Sequence, residues 1–459
     1  MRVRNFCEVC PPCAWSASMA IHQCGGTVTT CRLVRPTHAR AWRAWILRIA
    51  RGEAFAEAGV IGLKLAAVLF AGVLGCGRGS SAAGSPLERS VSGDTVITVA
   101  RNVPGTDRVT AFDVIWQDTS LKRPRHLLAT GDHLVISEDT ELHFINLIDR
   151  SVRTVGRPGE GPGEFRSIRA FGAVRDSIAV YDLALRRMSI ITPTLSFARS
   201  SPLHAYPPFV GVRRRNNVLL AVNGGLVLLL ESNPNVSTGD PVRAALVWQD
   251  LNGDSARIVN VWNDVTFLDV PGTRYLIREK LFPQEVVIAV SHDGRFAHGD
   301  GMLYCITVES VQVVPGYPIQ RFCREWQPPL VGSGIRNVDM HGMRDDLFQR
   351  SVRMSLRRQR IPDHLPSYDK ALFDALGRLW IRTVPGTLAD IHPSVLERYP
   401  FLGPTLHYWD VFARDGVLVR TVAFPARFDV RAITLTHAFG FLELDSGEIV
   451  IATMPLESS

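Results

Sequence analysis

From Asp94 onward, short apolar runs separated by Gly, Asp, Asn or Pro recur at intervals of about ten residues, a spacing that suits a sandwich, a barrel or a propeller. A propeller is told apart because each blade is a four-stranded meander, so the set must itself repeat about every 40 to 50 residues. It does. Residues 125–155 carry His126-Leu-Leu-Ala-Thr, His133-Leu-Val-Ile-Ser, Leu142-His-Phe-Ile-Asn-Leu-Ile and Val152-Arg-Thr-Val. The next set is Ile168-Arg-Ala-Phe-Gly-Ala-Val, Ser177-Ile-Ala-Val-Tyr-Asp, Arg187-Met-Ser-Ile-Ile and Leu195-Ser-Phe-Ala. A third set spans 206–262, a fourth runs from Glu285-Val-Val-Ile-Ala-Val to Trp326, and a fifth from Ala371-Leu-Phe-Asp to Val417-Leu-Val-Arg-Thr-Val. The sixth has three runs only: Ala432-Ile-Thr-Leu-Thr, Gly440-Phe-Leu-Glu-Leu and Glu448-Ile-Val-Ile-Ala-Thr. Thr95-Val-Ile-Thr-Val-Ala100 is left over, and pairing it with the last set would remove an exposed sheet edge. The fold expected is therefore an all-β, six-bladed β-propeller over residues 94–457, closed by that N-terminal strand.

The phase of the repeat is set by Gly156-Arg-Pro-Gly-Glu-Gly-Pro-Gly-Glu-Phe165, which falls between the first two sets. Its glycines suggest a phosphate cradle, but a P-loop ends in Gly-Lys-Ser/Thr and opens a helix. Here Glu160 and Glu164 would repel an anion and Phe165 leads into a strand, so the stretch is read as a crossing between blades with Phe165 as its plug. One segment departs from the strand pattern. Over 340–360, Met340, Met343, Leu347 and Met354 share one side while Arg344, Arg350, Arg353, Arg357 and Arg358 lie elsewhere, which predicts an amphipathic helix inserted between blades four and five.

The net charge of +7 suggests nucleic acid until it is divided. Residues 1–76 hold nine Lys/Arg against three Asp/Glu, leaving 42 against 41 for the rest, so no nucleic-acid partner is expected. Cysteine is concentrated in the same leader. Cys7, Cys10 and Cys13 have ligand-like spacing, but no second pair follows to complete a zinc module. Residues 58–75 are apolar apart from Lys64, as an export signal is. Val73-Leu-Gly-Cys76 resembles a bacterial lipobox, with Leu74 where a small residue is usual, and it makes Cys76 the expected site of lipidation. The order expected is a non-native extension over 1–59, a lipoprotein-type signal over 60–76, a Gly/Ser/Ala tether over 77–93 and then the propeller, placing the protein at the cell envelope on a lipid anchor.

The Gly-rich stretch, Leu376-Gly-Arg-Leu-Trp-Ile-Arg382 and Trp409-Asp-Val-Phe-Ala-Arg-Asp-Gly416 together resemble the bacterial six-bladed β-propeller lipoproteins related to NHL-repeat proteins, over about residues 95–457. The resemblance implies the fold and leaves the activity open. Some NHL-like propellers carry lyase or lactonase-type chemistry on axial metal ligands, and His126, His204 and Glu285 are where such ligands would stand.

Propellers gather distant residues at the axis, because the innermost strand of every blade starts at one mouth of the central channel. His126, Arg169, His204, Tyr206, Glu285, Tyr368, Asp369 and Arg431 fall near such starts and are the candidate ligand-binding residues. No residue spacing signals a metal or a nucleophile, so neither a cofactor nor a catalytic residue is assigned. Cys305 and Cys323 sit on what read as neighbouring strands, and an exported protein permits them to pair or to remain two buried thiols. The function expected is a non-enzymatic envelope module that binds a protein, peptide or glycan; the alternative is a metal-dependent lyase or lactonase-type hydrolase at the channel mouth.

Overall fold

The computed structural model describes residues 87–456 apart from 102–104, 110, 118–123, 204–208, 213–219, 223–224, 233–240, 253, 265–266, 270–275, 279–285, 313–317, 332–361 and 387–403. Six sheets form the blades of an all-β propeller. From the axis outward, blade 1 is His126–Thr130, His133–Ser137, Leu142–Asn146 and Val152–Val155, and blade 2 is Ile168–Val174, Ser177–Asp182, Arg187–Ile191 and Phe197–Pro202. Blade 3 runs Phe209–Val212, Gly225–Ser232, Arg243–Asp250 and Ala256–Asn263, with Leu220–Val222 also paired to Gly225–Ser232. Blade 4 is Val287–Val290, Arg295–Gly299, Cys305–Ser310 and Ile319–Arg324; blade 5 is Tyr368–Phe373, Leu379–Thr383, Leu406–Phe412 and Leu418–Pro425. Blade 6 begins with Phe428–Ile433, His437–Glu443 and Ile449–Pro455.

A middle strand of a propeller blade is covered on both faces, so it is apolar along its length rather than alternating. Gly225–Ser232 is buried at its first six positions for this reason, whereas the outer strands Val152–Val155 and Phe197–Pro202 are mostly exposed. The core is divided into six apolar layers, one between each pair of neighbouring blades. Trp380, Trp409, Phe424 and Phe428 fill the layer between blades 5 and 6. Phe439, Phe441 and Ile451 of blade 6 meet Leu134, Ile136 and Ile145 of blade 1, so the ring is joined by side-chain packing. No sheet closes on itself through hydrogen bonds.

The strand expected to close the ring does not do so. Thr95–Ala100 lies parallel to Ile319–Arg324 on the outer edge of blade 4, with Leu87–Ser92 antiparallel beside it. Its inward residues are small: Thr98 and Ala100 are 1% and 3% exposed, and a Cβ on Gly416 of blade 5 would come within 3.1 Å of Thr98 Cβ. That fit holds the strand at the seam between blades 4 and 5. The chain then runs along the rim. Thr106–Arg108 pairs in parallel with Leu418–Pro425 of blade 5, and Asp113–Trp116 pairs antiparallel with Ile449–Pro455 of blade 6. The N-terminal segment is thus a belt over the outer edges of three blades, and the edges it covers are those that would otherwise present unpaired backbone.

The helix expected over 340–360 is not among the elements of the described fold. No helix occurs among the described residues, and that segment lies outside them, as do Cys76 and the whole leader and tether up to residue 86.

Cys305 and Cys323 stand directly opposite each other in blade 4, with Cα atoms 4.1 Å apart, and form a disulfide. The 156–165 stretch leaves blade 1 at Val155 and enters blade 2 at Ile168. Phe165 is fully buried against Val135, Leu142 and Phe171. Arg187 ties the crossing down by donating to the carbonyls of Glu160, Gly161 and Glu164 at 2.7, 2.8 and 2.6 Å. Gly156 is held at φ +100, and a Cβ there would lie 2.8 Å from the Thr140 carbonyl and 2.9 Å from the Phe165 ring. Only glycine satisfies both conditions.

Candidate functional site

All six innermost strands run the same way, so their first residues share one mouth of the channel. Blade 5 and blade 6 furnish an ion-pair network there. Arg382 forks onto Asp369 through two hydrogen bonds of 2.7 and 2.8 Å. Lys370 donates to Asp429 Oδ1 at 2.7 Å and to the Val430 carbonyl at 2.6 Å, and Arg431 reaches Asp429 Oδ2 at 2.5 Å. Burial lowers the Lys370 ammonium to about 8, with Arg431 and Arg382 adding to the effect and Asp429 opposing it. Burial pushes the Asp429 carboxyl upward, but Lys370 and Arg431 outweigh it and hold the group down at about 2.

Two imidazoles at this mouth are kept neutral. Burial, then Arg431, Arg125 and Arg169, lower His126 to about 3. Burial and Arg382 lower His407 to about 4 against the pull of Asp369 and Asp429. His407 Nδ1 is buried and makes no hydrogen bond.

The second cluster stands on the same side of the ring. Ser137 pairs with His126, so the turn that follows Ser137 rises beside the start of the inner strand. That turn carries Glu138 and Glu141, and His143 lies two residues into the next strand, on the same face as Glu141. One donor atom from each of Glu138, Glu141 and His143 falls within 4.8 Å of the others, close enough to share a metal ion. The imidazole is 7% exposed, packs against the Trp116 ring at 5.2 Å, and has Nδ1 3.0 Å from Thr154 Oγ1. Its Nε2 is buried without a hydrogen bond, 3.6 Å from Glu138 Oε2. With the proton on Nδ1 donated to Thr154, a bare Nε2 lone pair faces carboxylate oxygens. In that tautomer the arrangement is repulsive until a cation stands between them; with the proton on Nε2 instead, Thr154 donates to Nδ1 and the Glu138 carboxylate faces an N–H at 3.6 Å. The turn is braced by Asp139, whose side chain pairs with Arg125 and whose carbonyl accepts from Ile168 N at 2.7 Å, and by the contact of Thr140 with the Gly156 crossing.

Of the residues expected at the mouth, His126, Arg169 and Arg431 come together, as the fields on His126 show. Asp369 is at the mouth as the partner of Arg382. Tyr368 is not: it is 1% exposed in the layer between blades 4 and 5, donating to the Cys305 carbonyl at 2.8 Å. A register shift between Tyr368 and Lys370 turns its side chain away from the axis. His204, Tyr206 and Glu285 lie outside the described residues. Lys370, Arg382, His407 and Asp429 belong to the mouth and were not expected there.

The expectation of a non-enzymatic module without a metal signature is overturned at Glu138, Glu141 and His143. Among the described residues these three donors stand on a hairpin turn of blade 1; of the axial residues expected to hold a metal, His204 and Glu285 lie outside the described residues. The only trace of the three donors in the sequence is Glu138-Asp-Thr-Glu141-Leu-His143, where a turn followed by period-two spacing sets them on one side.

No protein-family model matches the chain, and no curated protein matches it. Among solved structures it is similar to a calcium-binding protein, regucalcin, from Agrobacterium tumefaciens, with 8% identity over 78% of this chain and 98% of that one and a TM-score of 0.40. It is similar also to a member of the DUF4221 family from Bacteroides vulgatus, with 9% identity, 72% and 91% coverage and a TM-score of 0.40. Virginiamycin B lyase from Staphylococcus aureus matches at 9% identity, 73% and 97% coverage and a TM-score of 0.33. Likenesses at this level assign no residue role, ligand or activity to this chain. The class defined by the sheets themselves is the six-bladed all-β propeller.

Proposed function

We propose that the protein is a metal-dependent enzyme of the lyase or lactonase type, related to the NHL-repeat propellers, with one divalent cation held by Glu138, Glu141 and His143. The observation that carries this is the buried Nε2 of His143, which has no hydrogen bond and stands among carboxylate oxygens. Two carboxylates and one imidazole suit Zn²⁺ or Mn²⁺, and three protein ligands leave coordination positions open, as catalytic rather than structural sites do. An ion so bound supplies Lewis acidity toward a carbonyl and acidifies a bound water. The chain itself contributes Trp116 as a wall, Thr154 as the group that sets the imidazole tautomer, and Arg125, through Asp139, as the link to the channel mouth.

Metal analysis of the purified full chain tests the reading. One equivalent of Zn²⁺ or Mn²⁺ is expected, reduced to background in Glu141→Gln. A parent protein that is metal-free and takes up neither ion on dialysis refutes it.

The same protein is proposed to act outside the cytoplasm, tethered through Cys76. The lipobox-like Val73-Leu-Gly-Cys76 supports this, as does the Cys305–Cys323 disulfide, a pairing suited to an oxidising compartment. Cys76→Ala should move the protein from the membrane fraction to the soluble one, and an unchanged distribution would remove the anchor from the proposal.

A further inference from the structure

The central channel holds a part-open cavity of about 190 Å³, room for about six waters at their liquid volume. Its walls come from the inner strands and are apolar at Leu127, Phe171, Ala289, Leu372 and Ile433, while His126 and Arg431 line it where the strands of blades 1 and 6 begin. Arg431 stacks over the Phe441 ring at 5.4 Å, which fixes the guanidinium plane, and its Nε–H is buried with no acceptor. Around this end stand Arg125, Arg169, Lys370 and Arg382 as further cations, with Asp429, Asp369 and Asp139 as the acids that partly balance them. Among the described residues these five cations stand with Asp429, Asp369 and Asp139 and with Glu138 and Glu141 of the neighbouring turn, so the unbonded Arg431 Nε–H rather than net charge marks this end. The lining is thus apolar in its middle, between an end that carries His126 and Arg431 and an opposite end that carries His292, Asp374 and Thr434.

We infer that this channel binds a small monocarboxylic acid, its carboxylate on Arg431 and His126 and its apolar body along the inner strands. Apolar walls select against polyanions and sugars, which would bury hydroxyls or charges without partners. A planar carboxylate matches a fixed guanidinium better than a spherical anion does. The inference deepens the enzymatic reading, because a monocarboxylic acid is what hydrolysis of a simple carboxylic ester releases, but it does not depend on the metal.

Titration calorimetry of the full chain at pH 7 with hexanoate, hexanol and hexylammonium tests it, before and after treatment with EDTA. Hexanoate is expected to bind with one-to-one stoichiometry and at least about tenfold tighter than hexanol, as one charged hydrogen bond in a dry site provides. Arg431→Gln should erase that preference and leave hexanol binding unchanged, while Arg431→Lys, which keeps the charge without the planar fork, should retain only part of it and serves if the glutamine variant fails to fold. Equal affinity for hexanoate and hexanol, preference for the amine, or no binding at all overturns the inference. Loss of hexanoate binding on EDTA treatment also overturns it, by moving the carboxylate onto the metal. Hexanoate binding that survives EDTA supports this inference whatever the metal analysis shows, whereas a parent that takes up neither ion yet binds hexanoate refutes the metal reading and leaves this one standing.

Discussion

Thr154→Val isolates the metal reading from the stability of the fold. Thr154 is exposed on the outer strand Val152–Val155, and valine keeps its shape and its preference for strands, so the apo protein should melt within about 0.5 kcal/mol of the parent. What the substitution removes is the Oγ1 that stands 3.0 Å from His143 Nδ1. Without it the imidazole is free to carry its proton on Nε2, and selecting the ligating tautomer then costs part of the binding energy. Losing such an outer partner typically weakens a metal site about 10- to 100-fold, or about 1.4 to 2.7 kcal/mol. Zn²⁺ titrations of parent and variant at one pH read that difference directly. Denaturant unfolding at saturating Zn²⁺ should show the variant less stabilised by the metal by the same amount. Equal Zn²⁺ affinity in the two proteins would refute the reasoning, and so would an apo variant destabilised by several kcal/mol, which would make the contact structural.

Gly156→Ala should cost about 2–4 kcal/mol, combining backbone strain at positive φ with a clash against Thr140 and Phe165; urea unfolding checks it, and a variant as stable as the parent would mean that the crossing can shift. Breaking the Cys305–Cys323 bridge by a double alanine substitution releases a loop of sequence separation 18 and should cost about 3 kcal/mol on the chain-entropy model, read against the reduced parent. His126 and His407 are held at about 3 and about 4, below the ordinary 6.5, so the folded state binds fewer protons than the unfolded one across that interval. Their contribution is complete above pH 6.5 and lost as pH falls through 4 toward 3. A His126→Asn/His407→Asn variant should therefore lose stability less steeply between pH 6.5 and 4, and an unchanged slope in urea midpoints would show that other groups govern acid unfolding.

The blades were legible because burial on both faces writes apolar runs into the sequence and glycine-dependent crossings punctuate them. The same spacing put Cys305 and Cys323 on neighbouring strands but left open whether they pair, which the register of blade 4 decides. What stayed hidden has particular causes. A bulge at Tyr368 inverts which side of the strand faces the axis, and counting from a strand start cannot reveal it. Lys370 and Asp429 meet from different blades, so their pairing depends on how the ring packs rather than on local pattern. Glu138, Glu141 and His143 form a short polar turn that in sequence reads like any hairpin loop; only the buried, unbonded Nε2 distinguishes it. The belt strands are three to six residues long, and two of them pair in parallel, a pairing that no neighbouring turn announces.

That belt has a consequence in time. Ribosomes deliver Thr95–Ala100, Thr106–Arg108 and Asp113–Trp116 first, yet their partners Ile319–Arg324, Leu418–Pro425 and Ile449–Pro455 come late. At about 5–20 residues per second the earliest strands wait about ten seconds or more for an edge to pair with. During synthesis, blades 1 to 3 can form from contiguous chain, while the belt can pair with blades 4, 5 and 6 only as Ile319–Arg324, Leu418–Pro425 and Ile449–Pro455 arrive in turn. The nascent protein is thus obliged to keep its own beginning unfolded, a condition that also suits a chain threaded through a translocon before it folds.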